Sequence, residues 1–153
     1  MTRKKIIAGN WKMNATKEET VTLVNGILAN YSGYNLSENK VAVVASPFPY
    51  IHYCSSMFTN YPYLYAAAQN CSEFEQGACT GEVSAKIIAS LDVKYVIIGH
   101  SERRQYFAET EEMLLNKIKQ AQKQDLIAIF CCGECLETRE ANADFDIIKA
   151  AIP

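Results

Sequence analysis

A histidine, the side chain whose charge changes most readily near neutral pH, stands at the end of a short apolar run in the middle of the chain. His100 follows four strand-forming residues and a glycine, and Ser101 and Glu102 then open a helix-like segment that Ser101 is expected to cap. Unpaired N–H groups at the amino end of a helix favour a neutral imidazole. A neutral imidazole can donate a hydrogen bond to a carbonyl oxygen and stabilise the charge formed during enolisation. The alternative is a histidine that only caps its local structure.

Other polar side chains stand at the ends of other apolar runs. Asn10 and Lys12 follow the first run, and Gln69 and Asn70 follow the third. If these runs are parallel strands, their carboxyl ends lie at one edge of a sheet, where ligands bind in α/β proteins. The sequence therefore predicts a site at this edge.

Strand-like and helix-like segments alternate along the chain. Five apolar runs read as strands, and segments with helical spacing of apolar residues separate them. Strands that are apolar on both faces predict a parallel sheet covered by helices, so the fold class is α/β, as a barrel or an open sheet. The predicted strands cover residues 5–11, 40–45, 63–68, 95–99 and 126–131, and the clearest helices begin at Thr16, Ser84, Thr110 and near Leu136.

Composition limits the classes of function. With 153 residues, the chain is expected to form a single domain over 1–153, and 49% hydrophobic and 21% charged residues are typical of a globular protein. A net charge of −2 argues against nucleic acid as a partner. No apolar run approaches the ~20 residues of a membrane span, and residues 6–8 are too short for a signal peptide. A cytoplasmic location is the expectation.

The six cysteines suggest an alternative chemistry. Cys132 and Cys135 form a C-x-x-C spacing, which could support redox exchange or supply two metal ligands. A structural zinc site needs four ligands, and the sequence has only His52 and His100 as histidines. Ordinary reduced thiols are therefore the favoured interpretation.

Four segments resemble motifs of the triosephosphate isomerase family in that family's order and approximate spacing: residues 8–14, 68–70, 80–82 and 98–104. Residues 131–134 also resemble the end of the family's fifth strand, although Cys132 stands where an aliphatic residue is common. After Arg139 the resemblance weakens. It implies an eight-stranded (β/α) barrel, of which this chain covers about five strands. It also implies interconversion of dihydroxyacetone phosphate and D-glyceraldehyde 3-phosphate, without metal or organic cofactor.

The resemblance also implies roles for four residues. Lys12 would supply positive charge to the substrate phosphate and the enediolate, and Asn10 would orient Lys12 and donate to substrate oxygens. His100 would be the neutral electrophile that polarises the carbonyl. Glu102, beside it, would either interact with Lys12 or only favour the amino end of its helix.

A homodimer is a further implication of the resemblance. Residues 69–82 resemble the segment that reaches into a partner subunit in this family, with Thr80 at its tip and with Met13 and Asn14 receiving it. Gly81 and Glu82, which follow Thr80, are also expected at the interface. The alternative is a long surface loop, although loops of this length are usually functional in compact domains.

Three parts of the family's site have no counterpart in this sequence. These are the glutamate base after the sixth strand, the loop that closes over the substrate and the Gly-rich phosphate-binding segments. Proton abstraction needs a base within about 3 Å of the carbon-bound proton. We therefore expect the 153 residues to be part of a longer isomerase and inactive alone. The alternative is an inactive fragment that dimerises or binds a partner.

Overall fold

The computed structural model describes residues 3–133, in which five strands alternate with five α-helices. The strands are β1 (Lys5–Asn10), β2 (Lys40–Ala45), β3 (Leu64–Ala68), β4 (Tyr95–Ile98) and β5 (Ile127–Phe130). The helices are α1 (Lys17–Ala29), α2 (Phe48–Phe58), α3 (Ala85–Ala89), α4 (Ser101–Phe107) and α5 (Glu111–Lys123), and a 3-10 helix covers Tyr31–Tyr34.

All four strand pairs are parallel, and the strands lie in the order β1-β2-β3-β4-β5. Across the sheet, Asn10 pairs with Ala45, Ala45 with Ala67, and Ala67 with Tyr95. Asn10 is the last residue of β1, whereas Tyr95 is the first residue of β4, so successive strands are shifted along their length. This stagger is the one that a barrel requires of tilted strands. The predicted α/β class is confirmed, and the five strands form part of a (β/α) barrel.

An apolar cluster lies on each face of the sheet, as expected for strands without a polar face. The cluster on the helix-covered face combines strand residues with side chains from the helices, including Val24, Ile51, Ile88 and Leu114. The cluster on the inner face consists of strand residues only: Val41, Val43, Ala45, Ala67, Tyr95 and Ile97. The alternation of Val43 inward and Val44 outward follows from the period of a strand.

Within residues 3–133, β1 and β5 each pair with one strand, so they form the two edges of the sheet. Their apolar side chains are open: Ile7 on β1 is 64% exposed and Ile127 on β5 is 44% exposed. In a closed barrel every strand has two neighbours. The two edges are therefore the surfaces at which this sheet is incomplete.

Local sequence explains the helix starts. Thr16 caps α1 through a capping box with Glu19, and the side chains of Ser84 and Thr110 accept backbone N–H groups at the starts of α3 and α5. Helix α1 stops at Ala29, before Gly33, and Ile87 on α3 lies away from the core with 51% of its surface exposed.

Strand ends also differ slightly from the predicted bounds. Each strand except β2 is shorter than predicted by one or two residues at its ends, because residues such as Tyr63, at φ 67°, already belong to a turn. The helix predicted near Leu136 lies outside the described residues.

A buried ionic cluster anchors the start of the long loop. Glu109, before α5, accepts hydrogen bonds from Arg103 of α4 and from Lys117 of α5 through one carboxylate oxygen. Lys117 also donates to the Asn70 side chain at 2.9 Å. Glu109 and Lys117 are buried, so each charge depends on the other for compensation. The cluster connects α4 and α5 to the loop that follows β3.

Gly99, directly before His100, needs both a positive φ and empty space. Its φ is +76°, and a Cβ there would lie 3.3 Å from Arg104 Nη2, from the Cys131 carbonyl oxygen and from Leu114 Cδ1. We expect Gly99→Ala to destabilise the protein by about 1–3 kcal/mol, because alanine rarely adopts this backbone and the neighbours must move. Chemical denaturation of the intact protein measures this change.

The control is Gly26→Ala in α1, where a Cβ meets nothing within 4 Å. That substitution should stabilise by roughly 0.5–1 kcal/mol through helix propensity. A Gly99→Ala variant as stable as the wild-type protein would contradict the proposed conformational requirement.

Candidate active site

The residues that sequence analysis selected for chemistry lie at the carboxyl ends of the strands. Asn10 is the last residue of β1, Lys12 follows two residues later, and His100 and Glu102 follow β4. Gln69 comes directly after β3. Because the strands are parallel, these ends share one edge of the sheet.

An ion pair joins the segment that follows β1 to the segment that follows β4. Lys12 Nζ lies 2.6 Å from Glu102 Oε1, although 90 positions separate the residues in the chain. The hydrogen bond from Lys12 holds the pKa of the Glu102 carboxyl below its usual range. Of the two roles left open for Glu102, the structure shows the contact with Lys12, and Glu102 also stands in the first turn of α4.

The backbone of Lys12 is held in an uncommon conformation. Its φ is 53°, in the left-handed region that lysine rarely adopts. The Asn10 side-chain oxygen accepts the Lys12 N–H at 2.9 Å, and Gln69 Nε2 donates to the Lys12 carbonyl oxygen at 2.9 Å. Gln69 Nε2 also lies 2.9 Å from the Ala45 carbonyl oxygen. Asn10 and Gln69 therefore stabilise the turn that aims the Lys12 ammonium along the sheet edge.

The sequence predicts no specific role for Gln69 beyond its place after a strand. Its position alone indicates a contact with other loops, because a polar amide that directly follows a buried strand lies where the loops after neighbouring strands meet. Gln69 binds carbonyl groups of Lys12 and Ala45, and the choice of these two depends on how β1 and β2 are aligned with β3. The sequence of β3 alone does not give this alignment.

His100 itself caps α4, and the prediction that Ser101 does so is wrong. His100 Nδ1 accepts the backbone N–H of Glu102 at 3.2 Å, and Ser101 is the first residue of the helix. A ring nitrogen that accepts this hydrogen bond carries no proton, so the neutral ring has its proton on Nε2. Glu102 Oε2 is also 3.4 Å from Nδ1, but the charge of this carboxylate is compensated by Lys12.

The capping and chemical interpretations of His100 are thus compatible. The side chain is 22% exposed, and it lines a cleft of about 760 Å³ between the ends of β4 and β5. The cleft is also lined by Gly99, Arg104, Cys131, Cys132 and Gly133. Because Nδ1 is occupied by the backbone, the Nε2–H is the group available to donate to a ligand.

The predicted dimer residues are on the surface. Met13 is 96% exposed, and Thr80, Gly81 and Glu82 are exposed at the end of the long loop. The loop is closed at its base by the hydrogen bond from the Ser72 N–H to the Val83 carbonyl oxygen. Asn14 donates from its side chain to the Trp11 carbonyl oxygen, which orders the turn beside Met13.

The described thiols differ in exposure. Burial raises the pKa of Cys54, of Cys131 and of Cys71, the last to about 11. Such thiols are protonated near neutral pH and react slowly. Cys132 is exposed, and its C-x-x-C partner Cys135 lies outside the described residues. In residues 3–133, no three His, Cys, Asp or Glu side chains form a group that could hold a metal ion.

The sheet, its helices and the position of the site together indicate a barrel protein. Parallel strands with stagger, helices on one face and a site at the carboxyl ends are the features of a (β/α) barrel protein. The site combines an ammonium, an amide and a neutral imidazole, which are donors suited to an oxyanion. In the described part of the chain, no helix is long and apolar enough to cross a bilayer.

Comparison with known proteins specifies the family. The model of the triosephosphate isomerase family matches residues 5–153. The chain is 44% identical over 151 residues to a triosephosphate isomerase of Bacteroides fragilis and to one of Porphyromonas gingivalis, and these matches cover 98% of this chain. It is 48% identical over 149 residues, or 96% of the chain, to one from Alkaliphilus oremlandii. The chain belongs to the triosephosphate isomerase family.

The chain spans 57–59% of the length of these curated relatives. The strands and site residues described above belong to that shared part.

The Lys12–Glu102 pair predicts a pH dependence. Because the folded pKa of Glu102 is lowered, the pair contributes fully above the carboxyl's unfolded pKa and is lost as the pH falls through its folded pKa. We expect the Glu102 side-chain carboxyl, followed by carbon-detected NMR, to titrate at a lower pH than an unpaired glutamate. In Lys12→Met the midpoint should rise. An unchanged midpoint in that variant would show that Lys12 does not set the pKa.

Proposed function

We propose that this chain carries the electrophilic side of a triosephosphate isomerase site, at which dihydroxyacetone phosphate and D-glyceraldehyde 3-phosphate interconvert. The observation that carries the proposal is the ion pair between Lys12 and Glu102. Since Glu102 also lies beside the His100 ring, this ion pair holds the Lys12 ammonium near His100. The names of the relatives at 44–48% identity support the same activity.

The described geometry suits the stabilisation of an enediolate. When a carbon next to a carbonyl loses a proton, negative charge grows on the carbonyl oxygen. The Nε2–H of the neutral His100 ring donates a hydrogen bond to that oxygen. The Lys12 ammonium adds positive charge at the same edge and also suits a phosphate group. Asn10 restrains the Lys12 backbone, so the ammonium needs little reorganisation during the reaction.

The proton itself must be removed by another group. A carboxylate base needs free access to the carbon-bound proton. Glu102 is bound to Lys12 at 2.6 Å, and this contact lowers its proton affinity. We assign Glu102 to the electrophilic side and propose that the base comes from a segment that completes the barrel.

The test is a coupled isomerase assay of the intact protein with D-glyceraldehyde 3-phosphate. We expect His100→Gln to lower kcat by about 10²–10³-fold, the loss typical of removing one oxyanion donor. The matched control is His52→Gln, which changes the chain's second histidine, exposed on α2, and should leave kcat unchanged.

The outcomes separate the candidate functions. Equal activity in the wild-type protein and in His100→Gln would remove His100 from the chemistry. A folded wild-type protein without turnover would favour the alternative, a module that dimerises or binds a partner but does not catalyse.

The same proposal includes a homodimer as the active assembly. It is supported by the exposure of Met13 and of Thr80, Gly81 and Glu82 in the long loop. These residues are therefore accessible to a partner subunit. The proposal includes no nucleic acid or membrane partner. It places the enzyme in the cytoplasm, which fits the five free thiols among the described residues.

The loop tip offers a direct test of the dimer. We expect Thr80→Arg to raise the dimer dissociation constant by about tenfold or more, since a charge of this size in a packed interface costs more than 1.4 kcal/mol. Sedimentation equilibrium of the intact protein measures it. Thr59→Arg, at an exposed threonine after α2, is the matched control. A monomeric wild-type protein would refute the proposed assembly.

A further inference from the structure

We propose that Arg104 is a positioning residue for His100, acting through the backbone that carries the imidazole. This inference deepens the proposed function and rests on it, since it concerns the residue assigned there as the electrophile. Arg104 lies on α4, four residues after His100, and its guanidinium turns back toward the ends of β4 and β5.

The guanidinium makes four contacts, which reach three other elements. Nε donates to the Gly99 carbonyl oxygen at 3.0 Å, and Nη2 lies 3.5 Å from the Cys131 carbonyl oxygen. Nη1 forms an ion pair with Glu111 at the start of α5. The guanidinium also lies over the ring of Phe130 on β5, 5.8 Å from its centroid. Arg104 therefore ties α4 to the ends of β4 and β5 and to α5.

The contact with Gly99 acts directly on His100. The Gly99 carbonyl belongs to the planar peptide group that joins Gly99 to His100. A hydrogen bond that fixes this oxygen therefore fixes the orientation of the peptide group to which the His100 Cα is attached. Gly99 has a φ of +76° and no side chain to restrain it. Without the hydrogen bond from Arg104, this peptide group would be free to rotate among the conformations that glycine permits.

The second restraint on His100 depends on the first. His100 Nδ1 accepts the Glu102 N–H at 3.2 Å, a contact that requires the ring to lie over the first turn of α4. A tilt of the Gly99–His100 peptide group would move the ring away from this N–H and would change the direction of Nε2–H. Because a misplacement of about 1 Å at a reacting group can cost 10²-fold in rate, the tilt matters for catalysis.

Arginine is suited to this position and lysine is not. The planar fork presents several N–H groups in fixed directions, so one side chain reaches two carbonyl oxygens and a carboxylate. An ammonium is a compact point charge without this directionality. The neighbouring Arg103 has a different role, since its Nε is bound to the buried Glu109.

The experiment combines kinetics with chemical rescue in the intact protein. We expect Arg104→Ala to lower kcat by about 10–100-fold with KM changed by less than about threefold, because binding groups remain while the electrophile is misdirected. Guanidinium ion at millimolar concentration, far below denaturing levels, should restore part of kcat, and sodium ion should not. Arg3→Ala, at an exposed arginine before β1, is the matched control.

Arg104→Lys supplies an independent variant if Arg104→Ala does not fold. It keeps the charge, and we expect it to show the same loss of kcat because the fork is missing. In either variant the backbone amide signal of His100 should shift in NMR spectra, and in Arg104→Ala guanidinium should reverse the shift. A folded variant with kcat within about twofold of the wild-type value, or a kcat loss in Arg104→Ala that guanidinium does not reduce, would overturn the proposal.

Failure of the proposed function gives a different result. If the wild-type protein has no isomerase activity, the function assigned to the site is wrong, and the NMR signal alone tests the positioning role. A His100 amide shift in Arg104→Ala that guanidinium reverses then supports the contact as the determinant of His100 geometry. An unshifted signal overturns it.

Discussion

The parallel alignment of the five strands determines where every polar group of the site lies. Because every strand runs the same way, residues that follow β1, β3 and β4 meet at one edge although the chain separates them widely. The ion pair between Lys12 and Glu102 and the hydrogen bond from Gln69 to the Lys12 carbonyl both bridge separate strand ends. An antiparallel partner in the same sheet would place these groups at opposite edges and leave no site.

Two kinds of interaction hold this edge, and they differ in character. Around Lys12 and Glu102 the contacts are exposed to solvent, so they orient side chains more than they stabilise the fold. Beneath the long loop, Glu109 and Lys117 are buried, and their mutual dependence makes removal of either one costly. The site therefore combines a rigid, desolvated support with an accessible set of donors, an arrangement that suits a ligand which must enter and leave.

The sequence predicts the strands and the class of fold well, because a buried parallel strand such as Lys40–Ala45 is apolar on both faces and short. It also selects Lys12 and His100, because both are polar residues that follow apolar runs. It does not reveal that His100 replaces Ser101 as the helix cap, since the choice depends on the left-handed turn at Gly99. Nor does it reveal that Lys117 is buried, because its partners come from other elements.

The positive φ of Lys12 has a consequence for how this position can evolve. Glycine or asparagine would occupy a φ of 53° with less strain than lysine, so selection for stability alone would remove the lysine. Under the proposed function, the strain in this turn is what places the ammonium at the strand ends. A drift toward higher thermal resistance at this position would then lower turnover, which sets a limit on how far the fold can be stabilised without loss of activity.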